Sequence, residues 1–235
     1  MRRDRSAIVT GGASGIGRGL AAELARSGVD VVLADRQAEL AEEAASEIRA
    51  EGGSAVAVGL DVRDPDRFHE VVRTTVDRAG RLDYLFNNAG IGVGGEVREY
   101  DRSDWDDVID VNLRGVAHGI LAAYPVMISQ GFGHIVNTAS MAGLNPAPLQ
   151  ISYTATKYAV VGLSRALRLE AKRYGVRVSV VCPGPIRTPI LPSSRSTIRR
   201  TCPSLPSATR QPCAWATGCV RSAARSATST RSRLA

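Results

Sequence analysis

The sequence predicts an α/β fold in which helices cover both faces of a doubly wound parallel sheet. Two observations support this prediction. Short runs rich in β-branched residues alternate with longer segments of helical periodicity, as expected for buried parallel strands joined by helices. In addition, a cluster of glycines follows the first apolar run directly. Since crossovers between parallel strands are right-handed, the helices are expected on both faces of the sheet.

Six strands and five helices are predicted from these patterns. The strands are 6–10, 29–34, 54–60, 82–87, 133–139 and 176–182, and the helices lie near 15–27, 37–51, 66–79, 103–129 and 151–174. Asp64-Pro65-Asp66 indicates the start of the third helix, because Pro and acidic side chains favour a first helical turn. A length of 235 residues suits one large α/β domain better than two small ones, and no repeat at solenoid periods is present.

The net charge of +7 is confined to the end of the chain. Residues 1–190 carry 22 basic and 23 acidic side chains, whereas residues 191–235 carry eight Arg and no acidic residue. This distribution does not favour a nucleic-acid-binding body. No apolar run reaches the roughly 18–20 residues of a membrane span, and no apolar signal core follows the basic N-terminus. We therefore predict a cytoplasmic protein without a membrane or nucleic-acid partner.

The tail over 191–235 departs abruptly from the pattern before it. It is rich in Arg, Ser, Thr, Ala, Pro and Cys, and shows neither helical nor strand periodicity. We favour a frame-shifted translation of a GC-rich gene. A disordered segment and a functional basic arm are the alternatives. The three tail cysteines lack zinc-site spacing, so no metal is predicted. The predicted domains are an α/β domain over 1–190 and a tail over 191–235.

The glycine cluster has the composition of a phosphate-binding turn. Thr10-Gly11-Gly12-Ala13-Ser14-Gly15-Ile16-Gly17 lies between the first predicted strand and the first predicted helix. Gly11, Gly15 and Gly17 would permit a tight turn, close approach of a pyrophosphate and close packing of the helix on the sheet. The anion would then lie at the positive end of the helix. A purely structural turn is the alternative.

Two acidic residues after neighbouring strands bear on the choice of nucleotide. Asp35 could accept hydrogen bonds from the adenosine ribose and would repel a 2′-phosphate, which favours NAD over NADP. The neighbouring Arg36 could instead bind a 2′-phosphate, which would favour NADP. The residue before Gly15 is Ser14 rather than Lys or Arg, so no second basic contact to that phosphate is present there. Asp61-Val62 could meet the adenine amino group. Asp35 could also cap the next helix, and Asp61 could belong to a structural turn.

A possible acid–base pair lies on the last predicted helix. Tyr153 and Lys157 are four residues apart and so share one helix face. An adjacent ammonium is expected to lower the pKa of the phenol and prepare it for general acid–base catalysis. Ser140, at the end of the fifth predicted strand, would face the same crevice. A surface helix pair and a small strand-end residue are the alternatives.

Taken together, these motifs resemble the short-chain dehydrogenase/reductase family. The resemblance covers about residues 5–190. It includes TGGASGIG at 10–17, Asp35, Asp61-Val62, Asn87-Asn88-Ala89-Gly90, Asn112 in DVNLRG, Ser140, Tyr153-x-x-x-Lys157 and the segment 183–188. It implies a Rossmann-like domain that transfers a hydride between a nicotinamide and a secondary alcohol or ketone. It also implies a last strand and a substrate-binding lid, neither of which is recognisable after Thr188.

The resemblance further implies individual roles. Tyr153 would be the acid–base on the substrate oxygen, Ser140 would bind that oxygen, Lys157 would bind the nicotinamide ribose, and Asn112 would support a water relay. The cofactor site implied overall consists of Gly11, Ser14, Gly15, Ile16, Gly17, Asp35, Arg36, Asp61, Val62, Asn88, Ala89, Gly90, Tyr153, Lys157, Pro183, Gly184, Ile186 and Thr188. Helix 151–174 would provide a homo-oligomer contact. A dinucleotide-binding remnant without activity is the alternative function.

Overall fold

A computed structural model describes residues 5–184 of the chain. Within this range six parallel strands form a single sheet in the order β3-β2-β1-β4-β5-β6. The predicted fold class is confirmed, and each observed strand agrees with its predicted range within two residues at either end. The strands are β1 (Ser6–Thr10), β2 (Asp30–Asp35), β3 (Ser54–Gly59), β4 (Tyr84–Asn87), β5 (Gly133–Thr138) and β6 (Val176–Val181).

Six α-helices connect and cover these strands. They are α1 (Gly15–Arg26), α2 (Ala38–Ala50), α3 (Pro65–Ala79), α4 (Arg102–Ile109), α5 (Gly115–Gln130) and α6 (Ile151–Ala171), and short 3₁₀ turns lie at Val97–Glu99, Met141–Gly143 and Lys172–Tyr174. Helix α3 begins as predicted. The Asp64 carboxylate accepts a hydrogen bond from the Arg67 amide, and Gly80 ends the helix in the left-handed conformation.

The hydrophobic core lies in two layers, one on each face of the sheet. Val9, Leu33 and Phe86 contribute to the layer under α1 and α2, whereas Ile8 and Leu85 contribute to the layer under α3 and α5. Alternation along each strand places neighbouring side chains in opposite layers. Because both layers are apolar, the strands are apolar throughout, which explains why the sequence pattern identifies them.

The predicted helix over 103–129 is wrong in one respect. It is divided into α4 and α5 by a π-helical turn, Asp110–Arg114, and Asn112 within this turn is fully buried. A π turn adds one residue to a helical turn and changes the direction of the side chains around it. The apolar periodicity on either side remains helical, so the sequence pattern alone predicts one continuous helix.

The helical stretch Arg102–Gln130 is the one segment of residues 5–184 that is long and apolar enough to cross a membrane by length and composition. Its Ala122, Ala123 and Met127 are buried in the layer beneath α3 and α5. Some predictions concern residues outside 5–184. They are the tail over 191–235, the boundary at 190, and the site residues Ile186 and Thr188.

Candidate active site

The candidate site lies at the carboxyl edge of the sheet. Strand β1 is paired with β2 on one side and with β4 on the other, so the chain changes direction across the sheet at this point. In doubly wound folds, ligands bind in the crevice outside the carboxyl ends of the strands at such a switch point. All described residues predicted for the site lie at this edge or on helices that reach it.

The glycine turn forms a close-packed cradle at the start of α1. Gly11 and Gly15 have positive φ angles of 66° and 53°, which side chains other than Gly rarely adopt. A Cβ atom on Gly17 would overlap the carbonyl oxygen of Gly11 and lie 2.8 Å from Asn88 Nδ2. The Ser14 side chain makes no capping hydrogen bond. The first amides of α1 are therefore suited to hold an anion.

Asp35 is fixed by two backbone amides next to this cradle. Its Oδ2 accepts a hydrogen bond from the Ala13 amide at 3.0 Å, and its Oδ1 accepts one from the Gln37 amide, also at 3.0 Å. A carboxylate has about four lone-pair positions, so two acceptor positions remain for ribose hydroxyls. The alternative role of Asp35 as a helix cap is wrong, because Gln37 is the N-cap of α2. The Asp35 carboxylate instead orders the chain just before that cap. Arg36 beside it is exposed.

Asp61 and Val62 follow β3 and are already engaged with protein groups. The Arg63 guanidinium forms a fork on the Asp61 carboxylate, and this hydrogen bond holds the pKa of Asp61 below its usual value. The carboxylate is therefore ionised at neutral pH. Val62 is buried against Gly115, where a Cβ atom would lie 2.6 Å from Val62 Cγ2. Arg63 was not foreseen from the sequence.

The segment Asn87–Gly90 is tied to β1 through Thr10. The Thr10 hydroxyl accepts hydrogen bonds from the amides of Asn88 at 2.9 Å and Ala89 at 3.0 Å. The Asn88 side chain donates to the Thr10 carbonyl at 3.1 Å and accepts from the Thr138 hydroxyl at 3.3 Å. Thr10 and Thr138 were missed as site residues. Their signal in the sequence is a polar residue that ends an apolar strand.

Asn112 connects the π turn to the segment after Gly90. Its Oδ1 accepts a hydrogen bond from the Ile91 amide at 2.8 Å, and its Nδ2 donates to the Ile91 carbonyl at 2.9 Å. A Cβ atom on Gly90 would lie 3.2 Å from Asn112 Oδ1 and 3.5 Å from Lys157 Nζ. Gly90 therefore lets two polar groups approach the same stretch of backbone.

Lys157 is a buried amine. Its side chain is 3% exposed, and its Nζ donates a hydrogen bond to the Thr138 carbonyl at 2.9 Å. Burial lowers the pKa of Lys157 to about 8, because the ammonium loses contact with water. The amine has further donor capacity that this single acceptor does not use. Lys157 can therefore offer hydrogen bonds to a ligand in the crevice.

Tyr153 lies one helical turn before Lys157 on α6, with its ring centroid 5.4 Å from Lys157 Nζ. The expected lowering of its pKa by Lys157 is not found. Burial raises the pKa of Tyr153, and a hydrogen bond with the Ser140 side chain acts in the opposite direction. Lys157 directs its ammonium to the Thr138 carbonyl, and the loss of water around the phenol is therefore the dominant effect on the pKa of Tyr153. In this structure, Tyr153 is therefore suited to hold its proton.

Ser140 lies two residues beyond the end of β5, where it begins the 3₁₀ turn Met141–Gly143. Its Oγ accepts a hydrogen bond from the Ala142 amide at 3.1 Å. The Met141 amide donates to the Pro183 carbonyl at 2.9 Å, so Pro183 and the adjoining Gly184 lie beside the same turn. Across residues 5–184, no three His, Cys, Asp or Glu side chains are grouped so that they could hold a metal ion.

The structure thus brings together the described residues that the sequence assigned to one site. The glycine cradle and Asp35 lie beside β1 and β2, and Asp61 lies beside β3. Ser140, Tyr153 and Lys157 lie beside β5. Chemically, this edge can hold an anion near its centre, beside β1, and hydrogen-bond a reacting oxygen beside β5.

Comparison with known proteins supports this description. A levodione reductase from Leifsonia aquatica is 37% identical over 194 residues, covering 81% of this chain and 73% of the relative. The structure of an NAD⁺-bound xylitol dehydrogenase is 34% identical with a TM-score of 0.75, covering 78% of this chain and 71% of that one. A candidate NAD(P)-dependent gluconate 5-dehydrogenase from Beutenbergia cavernae, with NADP bound at low occupancy, is 37% identical with a TM-score of 0.75, covering 80% and 74%.

The family model for short chain dehydrogenases matches residues 5–199. This range includes every motif that carried the resemblance, from the glycine turn to the segment 183–188. Together with a six-stranded parallel sheet and relatives above 30% identity, the match establishes the family. The chain belongs to the short-chain dehydrogenases, a family of oxidoreductases.

Proposed function

We propose that this protein transfers a hydride between NAD and a small secondary alcohol or ketone. The observation that carries the proposal is the placement of a buried Lys157, Tyr153 and Ser140 at the same sheet edge as the glycine cradle. A dinucleotide with its pyrophosphate at the cradle would extend along this edge on both sides of β1. One end would then reach Asp35, and the other would reach Lys157.

The residues of the site fit a nicotinamide dinucleotide. The cradle has no room for a Cβ at Gly17, as expected where backbone amides must approach phosphate oxygens. Lys157 would hydrogen-bond the nicotinamide ribose with donors that Thr138 leaves free. When bound, the nicotinamide supplies the carbon that gives or accepts the hydride.

The protein's own contribution is to place and protonate the substrate oxygen. For a ketone, Ser140 and Tyr153 would both donate hydrogen bonds to the carbonyl oxygen, and Tyr153 would transfer its proton as the alkoxide forms. The raised pKa of Tyr153 keeps this proton in place at neutral pH. For an alcohol the proton moves in reverse, and the hydrogen bond with the Ser140 side chain would stabilise the phenolate.

A substitution on α6 tests the catalytic proposal. Tyr153→Phe removes the phenolic proton and should reduce turnover of NAD with a panel of secondary alcohols by at least about 100-fold, the contribution expected of a general acid–base. Tyr174→Phe is the control, because Tyr174 precedes the amino end of β6, away from the crevice. Equal turnover in both variants would refute the role of Tyr153. No turnover with any alcohol or ketone would favour the inactive dinucleotide-binding remnant.

The Asp35 carboxylate supports the proposed preference for NAD over NADP. Its carboxylate is held in place by Ala13 and Gln37, so it cannot readily turn away from a 2′-phosphate. The exposed Arg36 is a neighbouring cation that could favour the phosphate. Dissociation constants for NADH and NADPH test this part. Asp35→Ala should weaken NADH binding and reduce the preference for NADH, whereas a wild-type preference for NADPH would refute it.

We also propose a cytoplasmic enzyme that forms a homo-oligomer through the helix over 151–174. Support comes from large apolar side chains left exposed on α5 and α6, with Leu121 63% and Leu169 81% exposed. Sedimentation velocity of the wild type and of Leu169→Glu should show a loss of assembly in the variant. A monomeric wild type would exclude the contact.

A further inference from the structure

The turn after β3 contains an ion pair that the proposed chemistry does not use. The Arg63 backbone amide and Nε each donate to Asp61 Oδ1 at 3.0 Å. Nε also lies 3.0 Å from Oδ2, and Nη2 donates to Oδ2 at 2.6 Å. Arg63 therefore binds both oxygens of Asp61, and the pair has the fork geometry that makes Arg–carboxylate contacts directional.

The number of donors determines what Asp61 can still accept. An ionised carboxylate has about four lone-pair positions. The Arg63 amide, Nε and Nη2 supply three protons, with the Nε proton shared between the oxygens. One acceptor position remains, on Oδ2. Asp61 is thus prepared for a single further N–H donor rather than for two.

The turn is also fixed to the helices beside it. Arg63 Nη1 lies 3.6 Å from an Asp107 carboxylate oxygen on α4. His118 Nδ1 on α5 lies 2.9 Å from the Val62 carbonyl, to which it must donate because a carbonyl only accepts. Val62 itself packs against Gly115. The direction of the free Asp61 position is therefore set by contacts with α4 and α5.

The order of the strands indicates which group would meet this position. The glycine cradle follows β1, Asp35 follows β2, and Asp61 follows β3, the next strand outward. A nucleotide with phosphates at the cradle and its ribose at Asp35 has its base beyond β2. Adenine carries one exocyclic amino group, which is an N–H donor of the kind that Asp61 can accept.

We propose that Arg63 is a positioning residue for adenine recognition, which holds Asp61 so that its one free acceptor position faces the 6-amino group of the base. The inference rests on the proposed function, because it requires that a nicotinamide adenine dinucleotide binds. Arg63 itself need not touch the base. Its role is to fix the carboxylate. Its loss should therefore reduce the selectivity for the 6-amino group in a protein that still folds.

The test compares two ligands that differ in one group. They are NADH and the analogue in which hydrogen replaces the 6-amino group of adenine, and the measurement is the ratio of their dissociation constants. Wild type should prefer NADH by at least about 10-fold, as expected for a hydrogen bond to a charged acceptor. Arg63→Ala should bring the ratio close to that of Asp61→Ala. Arg63→Lys keeps the charge without the fork. Its ratio of dissociation constants should lie between the ratios of wild type and Arg63→Ala.

A matched control separates this effect from general loss of a surface ion pair. Arg78→Ala removes a pair with Asp30 at the amino end of β2 and should keep the wild-type ratio. Melting temperatures of all variants test whether they fold, and Arg63→Lys provides the comparison if Arg63→Ala does not.

The possible outcomes distinguish failure of the role of Arg63 from failure of the proposed function. An unchanged ratio in Arg63→Ala would overturn the inference, and so would a higher preference for NADH, since Arg63 would then compete with the base. Equal binding of both ligands by wild type would also overturn it, while leaving nucleotide binding intact. If wild type bound neither ligand, the proposed function would fail and the inference with it.

Discussion

Replacing Lys157 with Met should make the nucleotide-free protein more stable at neutral pH. Burial lowers the pKa of Lys157 from 10.5 to about 8, and each unit corresponds to about 1.4 kcal/mol. The folded state therefore disfavours the ammonium by about 3 kcal/mol. The variant also loses the 2.9 Å hydrogen bond to the Thr138 carbonyl. This loss reduces the gain in unfolding free energy by about 1 kcal/mol. A net gain of about 2 kcal/mol in unfolding free energy is expected.

The same pKa shift also predicts how the stability difference between wild type and Lys157→Met changes with pH. Below pH 8, Lys157 is protonated in both the folded and the unfolded chain, so the penalty is constant. Between pH 8 and 10.5 only the unfolded chain keeps the proton, and the stability of wild type rises relative to the variant. Above pH 10.5 the penalty is gone. The advantage of Lys157→Met should thus decrease by about 3 kcal/mol over this window and change sign.

Urea unfolding followed by circular dichroism at pH 7, 8, 9 and 10 measures this difference. Lys172→Met is the control, because Lys172 is exposed and its substitution should leave a constant difference. A Lys157→Met variant that is less stable than wild type at pH 7 would refute the reasoning. A difference that stays the same from pH 7 to 10 would refute it as well.

Three further predictions concern the cradle, the core and acid stability. Gly17→Ala should weaken NADH binding by about 10- to 100-fold, because the added Cβ displaces an anion-binding turn; Gly19→Ala, with open space around it, is the control in the same titration. Ser164→Ala should lower the unfolding free energy by about 1–3 kcal/mol in urea, since it leaves the buried Asn137 Nδ2 donor without its acceptor. His134 has its pKa lowered by burial from 6.5 to about 4, so wild type should lose about 3 kcal/mol as the pH falls through this window. His134→Asn should lose less over the same acid titration.

Strand positions were predictable because their signal is local. A strand buried on both faces must be apolar at successive positions, and β2 meets this condition with Val31, Val32 and Leu33 fully or almost fully buried. The bounds of α3 were also predictable, because Asp64, Pro65 and Gly80 each impose a backbone preference on their own position. Such residues carry their structural consequence without help from distant parts of the chain.

Features that depend on distant contacts were not predictable. The π turn around Asn112 is coupled to Ile91, more than twenty positions earlier in the chain, and leaves the apolar periodicity unchanged. The pKa of Tyr153 follows from how much water the assembled crevice excludes. Spacing on α6 predicted that Lys157 lies on the same face, but it could not show that the ammonium turns to Thr138.

The fork on Asp61 is an intermediate case. Arg63 is only two positions away, so the pair is local, yet Arg and Asp close in sequence are common on protein surfaces. What gives the pair direction is Asp107 on α4 and the contact of Val62 with Gly115. These partners come from elements that the sequence analysis treated as one uninterrupted helix. The position of a site residue could therefore be predicted while its orientation could not.

The polar groups buried beside the crevice explain why catalysis and stability should oppose each other here. Asn87 donates to Asn137, and Asn137 donates to Ser164 on α6, each at 2.9 Å, which ties the helix carrying Lys157 to the centre of the sheet. The ladder is incomplete, because Asn87 Oδ1 has no hydrogen-bond partner. An apolar replacement at Lys157 would relieve a further burial cost. The polar groups that destabilise this edge include the one that would hold the nicotinamide ribose, so variants selected for stability alone should lose nucleotide binding first.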